Sequence, residues 1–241
     1  MKLSLCVICK NEEKKIARCM NSVKGIVDEM IIVDTGSEDR TVEIAKELGA
    51  KVFEITWEKD FAKAKNFAIE QATGDWIIFL DADEYFTKES ASVLRGFIKE
   101  AIKRKKDCIY CDMLNEENGE VKSIFKTNRV FKNNPQIRYK GRVHERLCRE
   151  KGDIKGVDFL DQIRIRHDGY SEEVWNAKNK GARNIELLLE ELKERPTSSD
   201  ICYYLMQAYS STGKWNEAWE YGTKALQYNR FELMGAKVSV Y

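Results

Sequence analysis

Two short acidic segments directly follow apolar runs of strand length, and their carboxylates are the first candidates for chemistry. Asp81 and Asp83 come after the run Trp76–Leu80, and Asp34 comes after Met30–Val33. A D-x-D triplet alone usually marks a solvated turn, but carboxylates at the mouth of a parallel sheet supply the hard oxygen ligands that Mg²⁺ or Mn²⁺ prefers. Such an ion can neutralise a pyrophosphate. The pattern therefore predicts a site for a metal ion and a nucleotide.

The elements that would position these carboxylates alternate between strand-like and helix-like segments. The predicted strands are Leu3–Cys9, Met30–Val33, Lys51–Ile55 and Trp76–Leu80. Segments of helical spacing connect them, the last of these over Phe61–Ala72. Apolar strands that alternate with helices predict a parallel sheet covered on both faces, with its ligand crevice at the carboxyl ends of the strands. The three aspartates are therefore expected at one edge.

The pattern changes after a predicted helix over Thr87–Lys106. Short strands are predicted over Cys108–Met113, Val121–Lys126, Arg129–Phe131 and Phe159–His167, with Asn118-Gly119 as a hairpin turn. The polar segment Ile137–Leu147 matches no element clearly. These features predict a second group of strands after the parallel sheet.

From Ser171 onward the spacing is helical. Asp200–Arg230 resembles a helix hairpin that turns at Gly213, with small and apolar residues where a tetratricopeptide unit packs, although Gly222 stands where an aromatic residue is usual. We therefore divide the chain into an α/β domain over residues 1–170 and a helical region over residues 171–241. The sequence leaves open whether the protein forms a homo-oligomer through this helical tail.

The composition excludes several classes of protein. Lys and Arg number 41 against 40 Asp and Glu, and a net charge of +1 argues against nucleic-acid binding by bulk electrostatics. No apolar run approaches the roughly 20 residues of a membrane helix, and the N-terminus lacks the pattern of a signal peptide. We expect a cytoplasmic protein without a transmembrane segment, while peripheral association with a membrane stays open.

The seven cysteines include two C-x-x-C pairs, Cys6/Cys9 and Cys108/Cys111. Both pairs lie in apolar, strand-like runs, where residues three apart point to opposite faces and cannot easily share a metal. We expect free buried thiols rather than a structural zinc site.

Several ordered motifs together resemble one family. They are K-N-E-E from Lys10, D-T-G-S-E-D-R-T from Asp34, D-F-A-K-A-K-N-F-A from Asp60 and G-D-W-I-I-F-L-D-A-D-E from Gly74. The set resembles the family 2 glycosyltransferases of the GT-A fold. The later segments R-V-H-E and H-D-G-Y, before a helical tail, are similar to a bacterial branch with lipopolysaccharide-core glucosyltransferases and peptide S-glycosyltransferases. The resemblance implies a Rossmann-like mixed sheet flanked by helices.

The resemblance also implies which residues contact the donor. The nucleotide-contacting positions would be Ile8, Lys10, Glu12, Asp34, Ser37, Lys65, Asn66 and Asp81. The first three would touch the base, and the next two would touch the base and ribose. Lys65 and Asn66 would lie beside the diphosphate, and Asp81 would contact ribose or metal.

The same resemblance assigns a metal and a base. Asp83 would bind the metal directly, with Asp81 beside it and His167 as a further ligand. Glu145 lies roughly where the family has its acidic catalytic base, and the usual acidic doublet is His144-Glu145 here.

These roles imply a metal-dependent inverting glycosyltransferase. It would move a sugar from a nucleoside diphosphate, UDP-hexose foremost, to a glycan, lipid or peptide acceptor, with Mn²⁺ or Mg²⁺ as cofactor. Charge that develops on the departing diphosphate needs a cation, and the incoming hydroxyl or thiol needs a base.

Two other functions stay open at this stage. A sugar-nucleotide nucleotidyltransferase also uses carboxylate-bound metal, but it carries a glycine-rich loop after the first strand, and the first glycine here is Gly25. A non-catalytic adapter would bind a nucleotide through its α/β domain and a partner through its helices.

Overall fold

The computed structural model describes residues 1–117, 119–168 and 173–232. Its strands are β1 Leu3–Cys9, β2 Glu29–Asp34, β3 Lys51–Glu54, β4 Trp76–Asp81, β5 Glu84–Phe86, β6 Cys108–Glu117, β7 Glu120–Lys132, β8 Ile137–Lys140, β9 Arg146–Arg149, β10 Gly156–Asp158 and β11 Arg164–His167. Its helices are α1 Ile16–Asn21, α2 Thr41–Glu47, α3 Phe61–Gln71, α4 Lys88–Lys103, α5 Glu173–Glu194, α6 Ser199–Ser211 and α7 Trp215–Glu232. Asn118 of the predicted turn, Gly169 and Tyr170 of the H-D-G-Y segment, and the predicted helical start at Ser171 lie outside the described residues.

The main sheet is mixed and runs in the order β3-β2-β1-β4-β7-β6-β11-β5, with β10 beside β6. Strands β1 to β4 are parallel, and the whole of β1 is buried. Cys9 pairs with Asp34 on one side of β1, and Ile8 pairs with Asp81 on the other. The predicted meeting of the two carboxylates at one edge of the sheet is therefore confirmed.

Helices cover both faces of this sheet. Leu5 and Val7 of β1 belong to a core shared with α1 and α4, whereas Cys6 and Ile8 belong to a core shared with α3. Strict alternation along a fully buried strand is what a sheet with two covered faces requires. Helix α3 contributes three buried alanines to this core, and their small side chains allow the helix to approach the sheet closely.

The second group of strands differs in detail from the sequence prediction. The predicted strands Val121–Lys126 and Arg129–Phe131 form the single long strand β7. The pairing of β7 with β6 shifts its register at two places. The predicted strand Phe159–His167 is wrong in its first half, because Leu160 and Asp161 adopt positive φ values of 44° and 49° and turn the chain before β11. The unassigned segment Ile137–Leu147 contains β8 and the start of β9.

The chain divides into two compact units, Met1–Lys140 with Glu145–Ser171 and Gly141–His144 with Glu172–Tyr241. In the second unit α6 and α7 form the predicted helix hairpin around Gly213, which has a φ of +75°. Trp215 and Trp219 are exposed on α7. None of the helices in the described ranges is both long and apolar enough to cross a membrane.

All seven cysteines are free, and six are buried, as predicted. Burial raises the pKa of the Cys6, Cys9, Cys19, Cys108, Cys111 and Cys202 thiols above the ordinary value. A buried thiol with a raised pKa is an inert core residue rather than a nucleophile.

Candidate active site

The turn after β2 is built around the Asp34 carboxylate. Its Oδ2 accepts hydrogen bonds from the backbone N–H groups of Gly36 and Ser37 at 2.9 and 2.8 Å, and its Oδ1 accepts from the Ser37 hydroxyl. Gly36 has a φ of +103°, which glycine adopts without strain. Asp34 is only 2% exposed, so its role here is to shape this turn.

The loop after β1 is tied to the same turn. Ser37 Oγ accepts a hydrogen bond from Asn11 N at 2.8 Å, and Asn11 Oδ1 accepts one from Glu38 N at 2.8 Å. Glu12 N donates to Thr41 Oγ1 at 2.7 Å. Two loops at the carboxyl edge of the sheet are therefore held side by side.

Beyond β1, the predicted contacts Ile8 and Lys10 lie at this edge. Ile8 is the last residue of β1 that pairs with β4, and it is 9% exposed. Lys10 follows directly and is exposed. Both residues therefore lie at the carboxyl end of β1.

Lys65 on α3 is the buried cation of the site. Its ammonium lies 2.9 Å from Asp81 Oδ1 and 2.6 Å from Glu145 Oε1, over the rings of Phe79 and Tyr139. Burial opposes its charge, but the two carboxylates outweigh this cost, and the pKa of Lys65 lies above its ordinary value. The structure thus pairs Lys65 with two carboxylates rather than presenting it to solvent.

Arg129 on β7 holds Asp81 from the other side. Its Nη2 donates to Asp81 Oδ2 at 2.7 Å and also to Glu84 Oε1, while Glu84 Oε2 accepts from Asp81 N at 3.1 Å. Burial raises the pKa of Asp81, but Arg129 and Lys65 outweigh it and hold this pKa well below its usual range. Burial and the neighbouring Asp81 carboxylate raise the pKa of Glu84, and they outweigh Arg129, which lowers it.

Sequence reasoning missed Arg129 and Glu84. Glu84 stood in the quoted D-A-D-E motif but had no role, and Arg129 lay in a predicted strand without a motif. A charged residue in an otherwise apolar strand is the signal that could have found Arg129, because such a charge needs a buried partner.

Asp83 faces His167 across the end of β5 and β11. His167 Nε2 lies 3.4 Å from Asp83 Oδ2, and its Nδ1 lies 2.8 Å from Asn115 Oδ1. Asn115 Nδ2 donates to Ser123 Oγ, which orients the amide with its oxygen toward the imidazole. The hydrogen bond to Asp83 raises the pKa of His167 although burial opposes it, while His167 lowers the pKa of Asp83 against its own burial.

Asn66 and Tyr139 join α3 to β8. Asn66 Nδ2 donates to the Tyr139 carbonyl at 2.9 Å, and Asn66 Oδ1 accepts from Tyr139 N at 2.8 Å. These two bonds occupy the amide that sequence analysis placed beside the diphosphate. The Tyr139 hydroxyl is buried and has no hydrogen-bond partner within the described residues.

The predicted catalytic pair His144-Glu145 is divided between two settings. Glu145 lies with Lys65 and is about 15% exposed. The His144 ring stacks on Tyr204 of α6 with centroids 4.3 Å apart, and His144 groups with the helical unit. The structure therefore brings Glu145 together with Lys65 and Asp81.

Together these residues place carboxylates, one imidazole and the cations Lys65 and Arg129 around the carboxyl end of β4. The sequence model described as Glycosyl transferase family 2 matches residues 4–147. The chain belongs to this family.

Curated relatives include bacterial and phage proteins. The glycosyltransferase SunS of Bacillus subtilis is 31% identical over 228 residues, covering 93% of this chain and 53% of that protein. A TPR repeat-containing protein of Synechococcus elongatus is 34% identical over 209 residues, covering 83% of this chain and 50% of that protein. This chain thus spans about half the length of the curated relatives it matches.

Solved structures share the fold. A structure of residues 1–349 of TarS from S. aureus superposes with a TM-score of 0.55 at 19% identity, covering 95% of this chain and 81% of that one. The same protein in complex with UDP-GlcNAc gives a TM-score of 0.57 at 18% identity, covering 95% and 83%. The predicted fold class, a helix-flanked mixed sheet with a helical C-terminal region, is confirmed.

Proposed function

We propose that this chain carries a metal-dependent inverting glycosyltransferase that moves a hexose from a UDP-hexose to a glycan, lipid or peptide acceptor. In this proposal residues 1–170 form the catalytic domain and residues 171–241 a tetratricopeptide-like helical region. The observation that carries it is the chain of contacts from Asp81 through Lys65 to Glu145, beside the Asp83–His167 pair. We further propose that the protein acts in the cytoplasm.

The nucleotide would lie across the turn after β2 and the loop after β1, which hydrogen bonds hold side by side. The Asp34–Ser37 turn and the loop with Lys10 and Glu12 stand at the carboxyl ends of β2 and β1, where open α/β sheets bind ligands. Ile8 would line the floor of the crevice. The UDP-GlcNAc in the TarS complex, a structure of the same fold, supports a UDP-sugar as donor.

Asp83 and His167 fit a divalent cation. Asn115 accepts from His167 Nδ1, and His167 Nε2 lies 3.4 Å from the Asp83 carboxylate. A divalent cation would take the place of the Nε2 proton between these two ligands. Within the described residues no three His, Cys, Asp or Glu side chains form a metal-binding group, so donor phosphate oxygens would complete the coordination. Bound Mn²⁺ or Mg²⁺ would neutralise charge on the departing diphosphate.

Asp81 is already held by two cations, Lys65 and Arg129. We infer that its remaining contact is with the donor ribose or the edge of the metal site. Its side chain is 37% exposed, so one part of the carboxylate faces the crevice. Lys65 and Arg129 fix its position, which preorganises the site before the donor binds.

Glu145 would be the base. It would take the proton of the acceptor hydroxyl or thiol as that atom bonds to the anomeric carbon, while the bond from this carbon to the UDP oxygen breaks and UDP leaves. One base on the face opposite the leaving group gives inversion. Lys65 would act as a positioning residue, because its ammonium contacts the Glu145 carboxylate and fixes its orientation.

Release of UDP tests the proposal. The protein is incubated with UDP-glucose or UDP-GlcNAc and Mn²⁺, and free UDP is measured without acceptor. Slow donor hydrolysis is expected, and Asp83→Asn should abolish it. An adapter would bind UDP without releasing it from the sugar, and a nucleotidyltransferase would instead release pyrophosphate from UTP and a sugar phosphate.

A further inference from the structure

The segment Gly141–His144 lies between β8 and the proposed base. It belongs to the same compact unit as helices α5 to α7, whereas Glu145, the next residue, belongs to the unit of the main sheet. Within the segment, Val143 is buried. The chain therefore passes from one unit to the other at the peptide bond directly before Glu145, and whatever holds this segment also limits where the Glu145 backbone can lie.

Glu191 of α5 holds the segment by its backbone. Its Oε2 accepts a hydrogen bond from Arg142 N at 2.8 Å, across 49 positions of the chain, and its Oε1 lies 3.4 Å from Arg195 Nη1. The Arg142 guanidinium donates in turn to Glu194 Oε1 at 2.5 Å. Glu191 is only 7% exposed, and a buried carboxylate is costly unless hydrogen bonds compensate it. The bond to the Arg142 N–H is therefore a built part of the structure rather than a surface contact.

Tyr204 of α6 holds the end of the same segment. The His144 ring stacks on the Tyr204 ring with centroids 4.3 Å apart and planes 12° apart. The His144 backbone has a φ of +54°, in the left-handed region that a side chain disfavours. Such a conformation persists only when the surrounding contacts impose it, and residues of this kind cluster at functional sites. The ring stack and the bond from Arg142 to Glu191 are two contacts that impose it.

We propose that Glu191 and Tyr204 are positioning residues for Glu145 and act through the segment Gly141–His144. This inference rests on the function proposed above, in which Glu145 is the base. Glu145 is then fixed at both ends, because Lys65 contacts its carboxylate at 2.6 Å and the anchored segment fixes its backbone. A base acts only within hydrogen-bond reach of the proton that it takes, and a displacement of about 1 Å can cost roughly 10²-fold in rate.

Steady-state release of UDP tests this role. With UDP-glucose or UDP-GlcNAc and Mn²⁺, Glu191→Leu and Tyr204→Leu should each lower kcat about 10- to 100-fold at an unchanged KM for the donor. Glu191→Gln keeps an oxygen that can accept from Arg142 N, and Tyr204→Phe keeps the stacked ring, so both should retain most of the wild-type kcat. Glu190→Leu is the matched control on α5, because Glu190 pairs with Lys193 at the surface.

Combination with Glu145→Gln separates positioning of the base from any other role. Once the base is removed there is nothing left to position, so Glu191→Leu should lower kcat no further in the Glu145→Gln background. A fall by the same factor in both backgrounds would overturn the proposal. So would a normal kcat in both leucine variants, even if their melting temperatures were lowered.

Hydrogen exchange measured by mass spectrometry keeps this inference separate from the proposed function. Exchange of the backbone N–H groups in a peptide of residues 141–147 should be faster in Glu191→Leu and Tyr204→Leu, while exchange in β1 stays unchanged. The variants Glu191→Gln and Tyr204→Phe should exchange like the wild type. If the wild type releases no UDP, the proposed function fails, and this measurement alone decides whether the two residues hold the segment. Unchanged exchange of the peptide in both leucine variants would overturn the proposal whatever the kinetics show.

Discussion

Lys65 Nζ lies 2.6 Å from Glu145 Oε1 and 2.9 Å from Asp81 Oδ1, so one buried ammonium joins the proposed base to the first aspartate of D-A-D. The three residues come from α3, the end of β4 and the segment before β9. A displacement of Lys65 would therefore disturb both the donor side and the acceptor side of the site. This relationship makes Lys65 a positioning residue whose loss should be felt in stability and in activity together.

We expect Lys65→Met to destabilise the fold. Removing one partner of a buried ion pair typically costs 3–5 kcal/mol, because the other partner stays buried and unpaired. Asp81 keeps Arg129 and is 37% exposed, so we expect a loss of about 3 kcal/mol, at the low end of that range. Urea unfolding followed by circular dichroism measures it, and UDP release should fall in parallel.

Lys65→Arg is the conservative comparison. It keeps the charge, and it should recover most of the stability while positioning Glu145 less well, since a guanidinium fork differs in shape from an ammonium. Lys63→Met is the matched control on the same helix, because Lys63 is 62% exposed. Equal stability of Lys65→Met and Lys63→Met would contradict the buried-cation role.

Asp83→Asn should remove the dependence of UDP binding on Mn²⁺ or Mg²⁺. The amide keeps the shape of the side chain but lacks the charge that holds a hard cation. His167→Ala should weaken the metal dependence less, because the carboxylate and the diphosphate oxygens remain. Calorimetric titration of UDP with and without EDTA measures both, with Asp75→Asn at the other end of β4 as control. Undiminished metal dependence in Asp83→Asn would exclude Asp83 as a ligand.

Arg129→Lys should weaken donor binding. Arg129 contacts Asp81 and Glu84 at once through Nη2, and the shorter lysine side chain should fail to reach at least one of them. Loss of one charged hydrogen bond in a buried site corresponds to about 1–3 kcal/mol, so we expect the Kd for UDP to rise roughly tenfold. Arg104→Lys, in an exposed pair with Glu100, should leave it unchanged. An unaltered Kd in Arg129→Lys would show that Asp81 does not depend on this bridge.

Much of the fold follows from local pattern. The apolar runs at β1, β2 and β4 form buried parallel strands, with Met30 half-buried at the start of its run. The carboxyl ends of such strands meet at one edge, which is why Asp34 and Asp81 could be placed together. Strand β5 has only three residues, too few for periodicity to reveal. Leu160 misled the strand prediction because it is apolar yet 74% exposed in a left-handed turn.

The contacts of the site could not be predicted in the same way. Lys65 and Glu145 are 80 positions apart, and Glu84 and Arg129 are 45 apart, so no local spacing records either pair. The Glu84–Arg129 pair depends on the pairing of β7 with β4, and the Lys65–Glu145 pair depends on the contact of α3 with β8. The sequence pattern supplies the residue types at the sheet edge, whereas tertiary packing decides which charges meet.

Stability against acid should depend on Glu29 at the amino end of β2. It is mostly buried, which opposes its charge, yet hydrogen bonds from Ser4 and Thr73 lower its pKa to about 2 from an ordinary 4.5. A lowered pKa stabilises the fold above pH 4.5, and this contribution is lost as the pH falls toward 2. Glu29→Gln should therefore cost up to about 3 kcal/mol at pH 7 and flatten the dependence of stability on pH between 5 and 2.

The melting temperature as a function of pH measures this effect. Glu54→Gln on β3 is the control, because Glu54 pairs with Lys46 at the surface and is 66% exposed. A Glu29→Gln protein that follows the wild-type curve down to pH 2 would contradict the assignment.

Glu145→Gln tests the base. Removal of a general base typically costs 10²–10⁴-fold in rate, about 3–5 kcal/mol of barrier, and leaves ground-state binding nearly intact. We expect kcat for sugar transfer to fall by that factor at unchanged UDP affinity. Lys65 keeps Asp81 as a partner in this variant, so stability should fall less than in Lys65→Met.

The comparison of these two variants separates a base from a structural anchor. If Glu145 only anchors Lys65, then Glu145→Gln loses stability and donor binding together while transfer by the folded fraction stays near normal. If it is the base, kcat falls alone, and a thiol acceptor should suffer less than a hydroxyl because it is partly ionised at neutral pH. A near-normal kcat of Glu145→Gln with a hydroxyl acceptor would contradict the assignment of Glu145 as the base. His144, which stacks on Tyr204, and Asp112, which pairs with Lys126 at 2.7 Å, would then be the next candidates for the base.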